Sequence, residues 1–178
     1  TTNFSNDDTL TITAESDTYQ LTEKSKIYTV SGLDEYLKNV DGLSQDNIDL
    51  LVSEALAKQP DATKNGSGAT FNSVTAKKLI VMSGNQTSTV YVISEINYTL
   101  DDGTNVTYYL SVYFKDVVLR KNSNGEYSLA HGESMHAGNL INLIASRFIY
   151  GYASQEAAEA AARTTQTPDA DYSALDLH

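Results

Sequence analysis

The sequence contains neither cysteine nor tryptophan among its 178 residues. The absence of cysteine excludes a disulfide framework, a cysteine-ligated zinc site and a thiol nucleophile. A chain of this length can still bury enough apolar surface to form one domain without covalent or metal cross-links. The fold must therefore depend on non-covalent packing.

Basic residues are also few. The chain carries 12 lysines and arginines against 23 aspartates and glutamates, which gives a formal net charge of −11. The basic residues are scattered apart from the pairs Lys77-Lys78 and Arg120-Lys121, whereas binding of a phosphate backbone needs a cluster. We therefore expect no nucleic-acid partner and attribute the acidic balance to solubility.

Long apolar runs are absent as well. No stretch approaches the roughly 18 apolar residues of a membrane span, and no signal peptide is recognisable. The chain begins with Thr1-Thr2 rather than methionine and is rich in threonine, serine, asparagine and tyrosine. We expect an extracytoplasmic domain of a longer secreted or membrane-anchored protein, which would meet the membrane only through an anchor outside this sequence.

The clearest structural signal lies in residues 90–114, where two runs of alternating β-branched and aromatic residues flank Asp101-Asp102-Gly103. This pattern predicts a β-hairpin. A three-residue loop with Gly103 in the left-handed conformation keeps the apolar side chains of both strands on one face, whereas a one-residue slip would invert one strand. The predicted cross-strand pairs are Tyr98 with Val106, Ile96 with Tyr108, Ser94 with Leu110, Val92 with Val112, Val90 with Phe114 and Tyr91 with Tyr113.

Capping residues and periodicity predict further elements. Ser31 is expected to cap a short helix over residues 33–40, and Ser44 to cap a longer helix that ends at Gln59-Pro60. The longer helix carries one apolar stripe, formed by Ile48, Leu51, Val52, Ala55 and Leu56. The other predicted elements are strands over residues 9–14, 71–82 and 126–129, a bulge near Lys115-Asp116, and an alanine-rich helix over residues 155–163 capped by Ser154. Residues 139–150 fit both a helix and a strand, and both assignments stay open.

This order of elements predicts an α+β fold. We expect N-terminal helices packed on a curved antiparallel sheet of the cystatin-like or NTF2-like type, followed by a C-terminal helix. The expected organisation is an N-terminal tether with a candidate edge strand (residues 1–30), a single α+β domain (residues 31–163) and a polar tail (residues 164–178).

Two segments are similar to extracytoplasmic domains of membrane-anchored surface proteins of Gram-positive bacteria. They are residues 89–127, with the strand and turn pattern described above, and the segment Gly151-Tyr152-Ala153-Ser154-Gln155-Glu156-Ala157. The resemblance implies a location on the bacterial cell surface and transfers no catalytic residue to this chain.

Three groups of residues are candidates for chemistry. His131, Glu133 and His136 resemble a two-histidine, one-carboxylate metal site, but their spacing in a glycine-containing loop matches no established motif and favours a solvated loop. Ser134 beside His136 lacks the strand-to-helix elbow of a serine nucleophile. The aspartates of Asp101-Asp102-Gly103 are explained by turn chemistry rather than by calcium binding. We therefore predict no metal, no cofactor and no catalytic residue.

Tyrosine is the most frequent aromatic residue, with 12 tyrosines against 4 phenylalanines. The predicted register places Tyr91, Tyr109 and Tyr113 on the less apolar face of the hairpin, with Ile93 beside them. Two interpretations stay open, namely cross-strand packing and a binding surface for a protein or a cell-envelope glycan. If the apolar stripe of the long helix covers the other face, the tyrosine face stays partly open.

These observations predict a non-enzymatic extracytoplasmic binding or assembly module of a larger surface protein. A small-ligand-binding or enzymatic domain with a pocket between sheet and helices is the first alternative. A component of a conjugation or secretion machinery is the second. The sequence leaves the ligand and the oligomeric state open.

Overall fold

The computed structural model describes residues 4–58, 69–121, 124, 126–144, 147–164 and 170–178. The chain divides into two compact units. The first comprises Thr1–Glu35 with Leu119–Ser128, and the second comprises Tyr36–Val118 with Leu129–His178.

The described residues form twelve strands, one 3-10 turn and two α-helices, so strand is the predominant secondary structure. The strands are β1 (Thr9–Thr13), β2 (Ser25–Thr29), β3 (Glu35–Tyr36), β4 (Ala69–Gly84), β5 (Thr87–Leu100), β6 (Asn105–Lys115), β7 (Val118–Lys121), β8 (Tyr127–Ala130), β9 (Ser134–Ala137), β10 (Asn139–Ile144), β11 (Arg147–Gly151) and β12 (Asp171–Asp176). The helices are α1 (Gln45–Ala57) and α2 (Gln155–Thr164), and the 3-10 turn spans Val40–Gly42.

The first unit is built around an antiparallel hairpin of β1 and β2, paired from Thr9 with Thr29 to Thr13 with Ser25. Every residue of both strands is exposed. In the same unit, Arg120 donates a 2.9 Å hydrogen bond from Nε to the Asp34 carboxylate.

The second unit contains a five-stranded antiparallel sheet in the order β12-β4-β5-β6-β9. The predicted hairpin register is confirmed for all six cross-strand pairs. Gly103 has φ +83, its N–H donates to the Leu100 carbonyl, and the Leu100 N–H donates to the Thr104 carbonyl. The three-residue loop forms because Gly103 adopts a left-handed conformation at little steric cost.

Both α-helices start where the sequence predicts. Ser44 Oγ accepts a hydrogen bond from the Asn47 N–H at the start of α1, and Ser154 Oγ accepts one from the Ala157 N–H at the start of α2. Each hydroxyl satisfies an N–H group that the helix itself leaves unpaired. The starts of α1 and α2 are therefore determined by local sequence.

The two helices pack on opposite faces of the sheet. Ala158 and Ala162 of α2 belong to the cluster that contains Tyr91 and Ile93. Helix α1 contacts β4 and β5, and it lies on the Phe114 side, because Glu54 of α1 bonds to His131, whose ring contacts Phe114. Tyr91 pairs with Tyr113, the residue before Phe114, and successive residues of a strand face opposite sides, so Phe114 and Tyr91 lie on different faces.

The expected fold class is wrong in its arrangement of helices. The chain has one N-terminal α-helix among its described residues, because the segment expected to be a helix over residues 33–40 forms the short strand β3 and the start of the 3-10 turn. The Leu37 N–H, directly after β3, donates to the Val117 carbonyl, directly before β7, and an eight-residue helix is too short to be stable without tertiary packing of its own. The cystatin-like or NTF2-like packing of N-terminal helices is thus overturned, and the fold is an antiparallel, sheet-rich α+β fold.

Two C-terminal segments form strands that the local sequence patterns do not specify. Of residues 139–150, for which the sequence leaves helix and strand open, 139–144 and 147–150 lie in the antiparallel pair β10 and β11. In the expected polar tail, β12 pairs antiparallel with β4 from Asp171 with Ser83 to Asp176 with Lys78. The two aspartates and the serine of β12 are typical of a polar tail. The segment nevertheless forms a strand, because the backbone hydrogen bonds to β4 do not require apolar side chains.

Candidate functional site

The face of the sheet predicted to present tyrosines is largely covered by α2. Tyr91 is 2% exposed and Ile93 is fully buried. The cluster around them includes Ala158 and Ala162 of α2, whose small side chains allow the helix to approach the strands closely. The expectation of a partly open face therefore does not hold at Tyr91 and Ile93, which are core residues in this structure.

A network of charges also ties α2 to the sheet. Lys78 of β4 lies 2.8 Å from the Glu159 carboxylate of α2 and 3.2 Å from the Asp176 carboxylate of β12. The hydrogen bond to Glu159 is the main reason that the pKa of Lys78 lies above its ordinary value. The ammonium group therefore joins three elements on one face of the sheet.

Tyr109 and Tyr113 are only half-buried, although both pack at the margin of the same cluster. The Tyr109 hydroxyl donates a 3.0 Å hydrogen bond to Glu95. The Tyr113 hydroxyl contacts the sulfur of Met135, and the Lys115 ammonium lies 5.6 Å from the centre of the Tyr113 ring. Of the four residues predicted for binding, these two remain accessible to a ligand.

Beyond α2, the same face of β4, β5 and β6 carries a row of polar side chains that we call the polar patch. Its residues are Asn72, Ser73, Lys77, Glu95, Asn97, Thr99, Asn105, Thr107 and Tyr109. Each is exposed or half-buried. The patch therefore begins at Tyr109, at the edge of the region covered by α2.

Hydrogen bonds hold the polar patch in a defined arrangement. At its centre, the Asn97 amide donates to Ser73 and Glu95 at 3.2 Å each, and its oxygen accepts a 2.6 Å bond from Thr107. The Glu95 carboxylate also accepts the bond from Tyr109. Because these groups fix one another, the patch presents amide, hydroxyl and carboxylate groups with little freedom to rearrange.

Two β-bulges in β4 bring extra residues to the polar patch. The register of β4 against β5 shifts between Phe71 and Ser73 and again between Ala76 and Lys78. The two inserted residues, Asn72 and Lys77, both reach β5 on the patch side. Asn72 donates a 2.8 Å bond to Thr99, and the Lys77 ammonium lies 3.9 Å from Glu95. Such bulges commonly redirect side chains at functional positions.

The residues of the polar patch other than Tyr109 were not identified from the sequence, although a signal was present. In β4 the apolar positions change parity between Phe71 and Val74. This change indicates one inserted residue. The bulge at Lys77 has no such signal, because residues 79–82 are all apolar, and the hydrogen-bond partners of both inserted side chains come only from the pairing with β5.

The two histidines lie in different environments. His131 is half-buried rather than solvated, with Nε2 3.0 Å from the Glu54 carboxylate and its ring packed edge-on against Phe114. His136 is exposed and contacts the carbonyl of Lys58. In the described part of the chain, no three histidine, aspartate or glutamate side chains are grouped so that they could hold a metal ion. Asp102 accepts a bond from the Thr104 N–H, as expected for a turn residue.

The raised pKa values of three tyrosine hydroxyls and of Lys78 predict that the free energy of unfolding falls at alkaline pH. Burial raises the pKa of Tyr108, Tyr109 and Tyr152, and the bond to Glu159 raises that of Lys78. The unfolded chain therefore loses these protons first, at about pH 10, and binds fewer protons than the folded chain above that pH. The stabilisation is complete below about pH 10 and is lost as the pH rises through the folded-state values. We expect the urea midpoint to fall between about pH 8 and about pH 11.

A matched pair of variants tests whether these raised pKa values cause the loss of stability at alkaline pH. Tyr109→Phe should make the midpoint depend less on pH, because it removes one titrating group. Tyr19→Phe should leave the dependence unchanged, because Tyr19 is 76% exposed. A midpoint that is constant or rises over this pH range would contradict the assignment.

Comparisons of the chain with protein-family models, with curated proteins and with solved structures return no match. Neither of the two described α-helices has the length and hydropathy needed to cross a membrane. The features that bear on function are the polar patch and the two accessible tyrosines beside the region covered by α2.

Proposed function

We propose that this chain is a non-enzymatic binding module of an extracytoplasmic surface or membrane-anchored protein, and that the polar patch binds a cell-envelope glycan. The observation that carries the proposal is the row of hydrogen-bonded amide, hydroxyl and carboxylate groups across three adjacent strands, beyond the region covered by α2. Sugar hydroxyls both donate and accept hydrogen bonds, and this set of side chains offers partners for both.

The negative charge of the patch and of the whole chain disfavours an anionic glycan. The Glu95 carboxylate lies within the patch, with Lys77 as its only ion-pair partner among the described residues, and the whole chain has a net charge of −11. An anionic polymer would be repelled by this field. We therefore propose a neutral glycan, with the half-buried ring of Tyr109 beside the polar groups as an apolar contact for a sugar face.

The test measures binding of neutral oligosaccharides, including N-acetylglucosamine oligomers, by isothermal titration calorimetry. Asn97→Ala removes the central donor and acceptor of the patch and is expected to weaken binding about tenfold, which corresponds to one or two hydrogen bonds. Asn85→Ala is the matched control, because Asn85 is exposed in the turn between β4 and β5, outside the patch. The control variant should bind as the parent does.

Three results would contradict the proposal. The first is equal affinity of the two asparagine variants, which would place binding outside the patch. The second is a preference for an anionic polysaccharide. The third is absence of binding to every glycan together with Asn97-dependent binding to a protein of the cell envelope, which would make the ligand a protein.

A further inference from the structure

The hairpin of β1 and β2 in the first unit has an outer edge with a defined hydrogen-bonding pattern. The Ala14 N–H donates to the Lys24 carbonyl, and the Val30 N–H donates to the Asp8 carbonyl. In an antiparallel pair these hydrogen-bonded positions recur at every second residue. The even-numbered residues of β1 thus face β2, and the N–H and C=O groups of Thr9, Thr11 and Thr13 point outward.

Within Thr9–Thr13, the outer edge has no lysine, proline or bulge that would prevent strand pairing. Among the described residues, β1 pairs only with β2. Its sequence, Thr9-Leu10-Thr11-Ile12-Thr13, contains no charge and no proline. Natural edge strands are commonly protected by lysine, proline or a bulge, and an isolated two-stranded hairpin is at best marginally stable in water. The edge is therefore suited to receive a third strand.

The charges around β1 indicate the chemistry of that strand. Asp7 and Asp8 precede β1, and Glu15 and Asp17 follow it. A second copy paired antiparallel about Thr11 would place Asp7 of one chain opposite Glu15 of the other at both ends of the pair, which is unfavourable because like charges directly opposite repel. The hairpin also carries Lys24 and Lys26, but these lie on β2 or next to it. Charge complementarity thus favours a strand with basic residues at both ends.

We propose that the outer edge of β1 binds an extended segment of another protein by β-strand addition, and that this segment has an uncharged, β-branched core flanked by lysine or arginine. In such complexes the main-chain hydrogen bonds supply affinity and the flanking side chains supply specificity. The edge belongs to the first unit and the polar patch to the second, so the two proposals rest on different residues.

The experiment uses the full chain and a fluorescent peptide, Lys-Lys-Thr-Val-Thr-Val-Thr-Lys-Lys, with fluorescence anisotropy as the readout. Thr11→Pro removes an outward N–H from β1 and is expected to lower peptide affinity by about tenfold. Ile27→Pro is the matched control, because Ile27 lies opposite Thr11 and its N–H points to the outer edge of β2. The control variant should retain the parent affinity, and added salt should weaken binding.

If proline disrupts the hairpin, two further peptides test the proposal on the chain without any substitution. A peptide with N-methyl groups on the residues that face β1 should not bind, and a peptide with glutamate in place of lysine should bind at least about tenfold more weakly. Equal affinity for the lysine and glutamate peptides would overturn the proposal, and so would equal affinity of the two proline variants. Sedimentation that shows a dimer abolished by Thr11→Pro would assign the edge to a second copy of this chain and would also overturn it.

Discussion

Replacing Leu51 with alanine is expected to lower the free energy of unfolding by about 2–5 kcal/mol. Leu51 is fully buried and lies at the centre of the buried stripe of α1, between Ile48 and Ala55. The substitution removes apolar contacts and leaves a cavity that the surrounding strands can fill only in part. Urea denaturation followed by circular dichroism measures the change.

The adjacent residue provides a matched control. Leu50 is 41% exposed on the same turn of α1, so Leu50→Ala changes the same chemical groups with little loss of packing. We expect that variant to stay within about 0.5 kcal/mol of the parent. Equal destabilisation by both variants would contradict the packing of α1 through one face.

Replacing Gly151 with alanine is expected to destabilise the second unit by about 1–3 kcal/mol. An added Cβ would lie 2.6 Å from the Tyr109 carbonyl oxygen and 2.8 Å from Cδ2 of Tyr108. The same backbone region makes two hydrogen bonds, from the Tyr152 N–H to the Tyr109 carbonyl at 2.7 Å and from the Tyr109 N–H to the Tyr152 carbonyl at 2.9 Å. Relief of the clash would separate these strands, so the variant should also melt at a lower temperature.

Gly84→Ala is the control for this prediction. Its added Cβ would lie 3.0 Å from the hydroxyl oxygen of Thr87, which is the end of a side chain that can rotate away. Gly84 also lacks a positive φ. The control should therefore cost less than Gly151→Ala, and a Gly151→Ala variant as stable as the parent would show that β6 does not approach Gly151 this closely.

Elements whose determinants are close in sequence could be predicted. The register of β5 against β6 follows from alternation and from Gly103, because a slip would move a whole apolar set to the wrong face. The starts of α1 and α2 follow from Ser44 and Ser154, because each cap bonds to an N–H three residues away. The bulge at Asn72 is also indicated by the change of parity between Phe71 and Val74, whereas the bulge at Lys77 is seen only in the pairing of β4 with β5.

Elements that depend on distant partners could not be predicted. The pattern of residues 33–40 fits a helix, but the bond between Leu37 and Val117 commits this backbone to a strand partner 80 positions away. Similarly, β12 has too few apolar residues to be recognised and exists because β4 offers an unpaired edge. Local propensity is a weak determinant where tertiary pairing competes with it.

The sequence by itself determined which residues share a face of the central sheet, since alternation along β5 and β6 is a property of the chain. Only the tertiary structure decided what covers each face. Helix α2 packs over Tyr91 and Ile93 and leaves Tyr109 half-buried at the margin of the same cluster. Two residues predicted for binding are therefore core residues, and the polar patch is accessible. The side on which a helix packs depends on contacts between segments far apart in the chain. The periodicity of either segment alone does not specify these contacts.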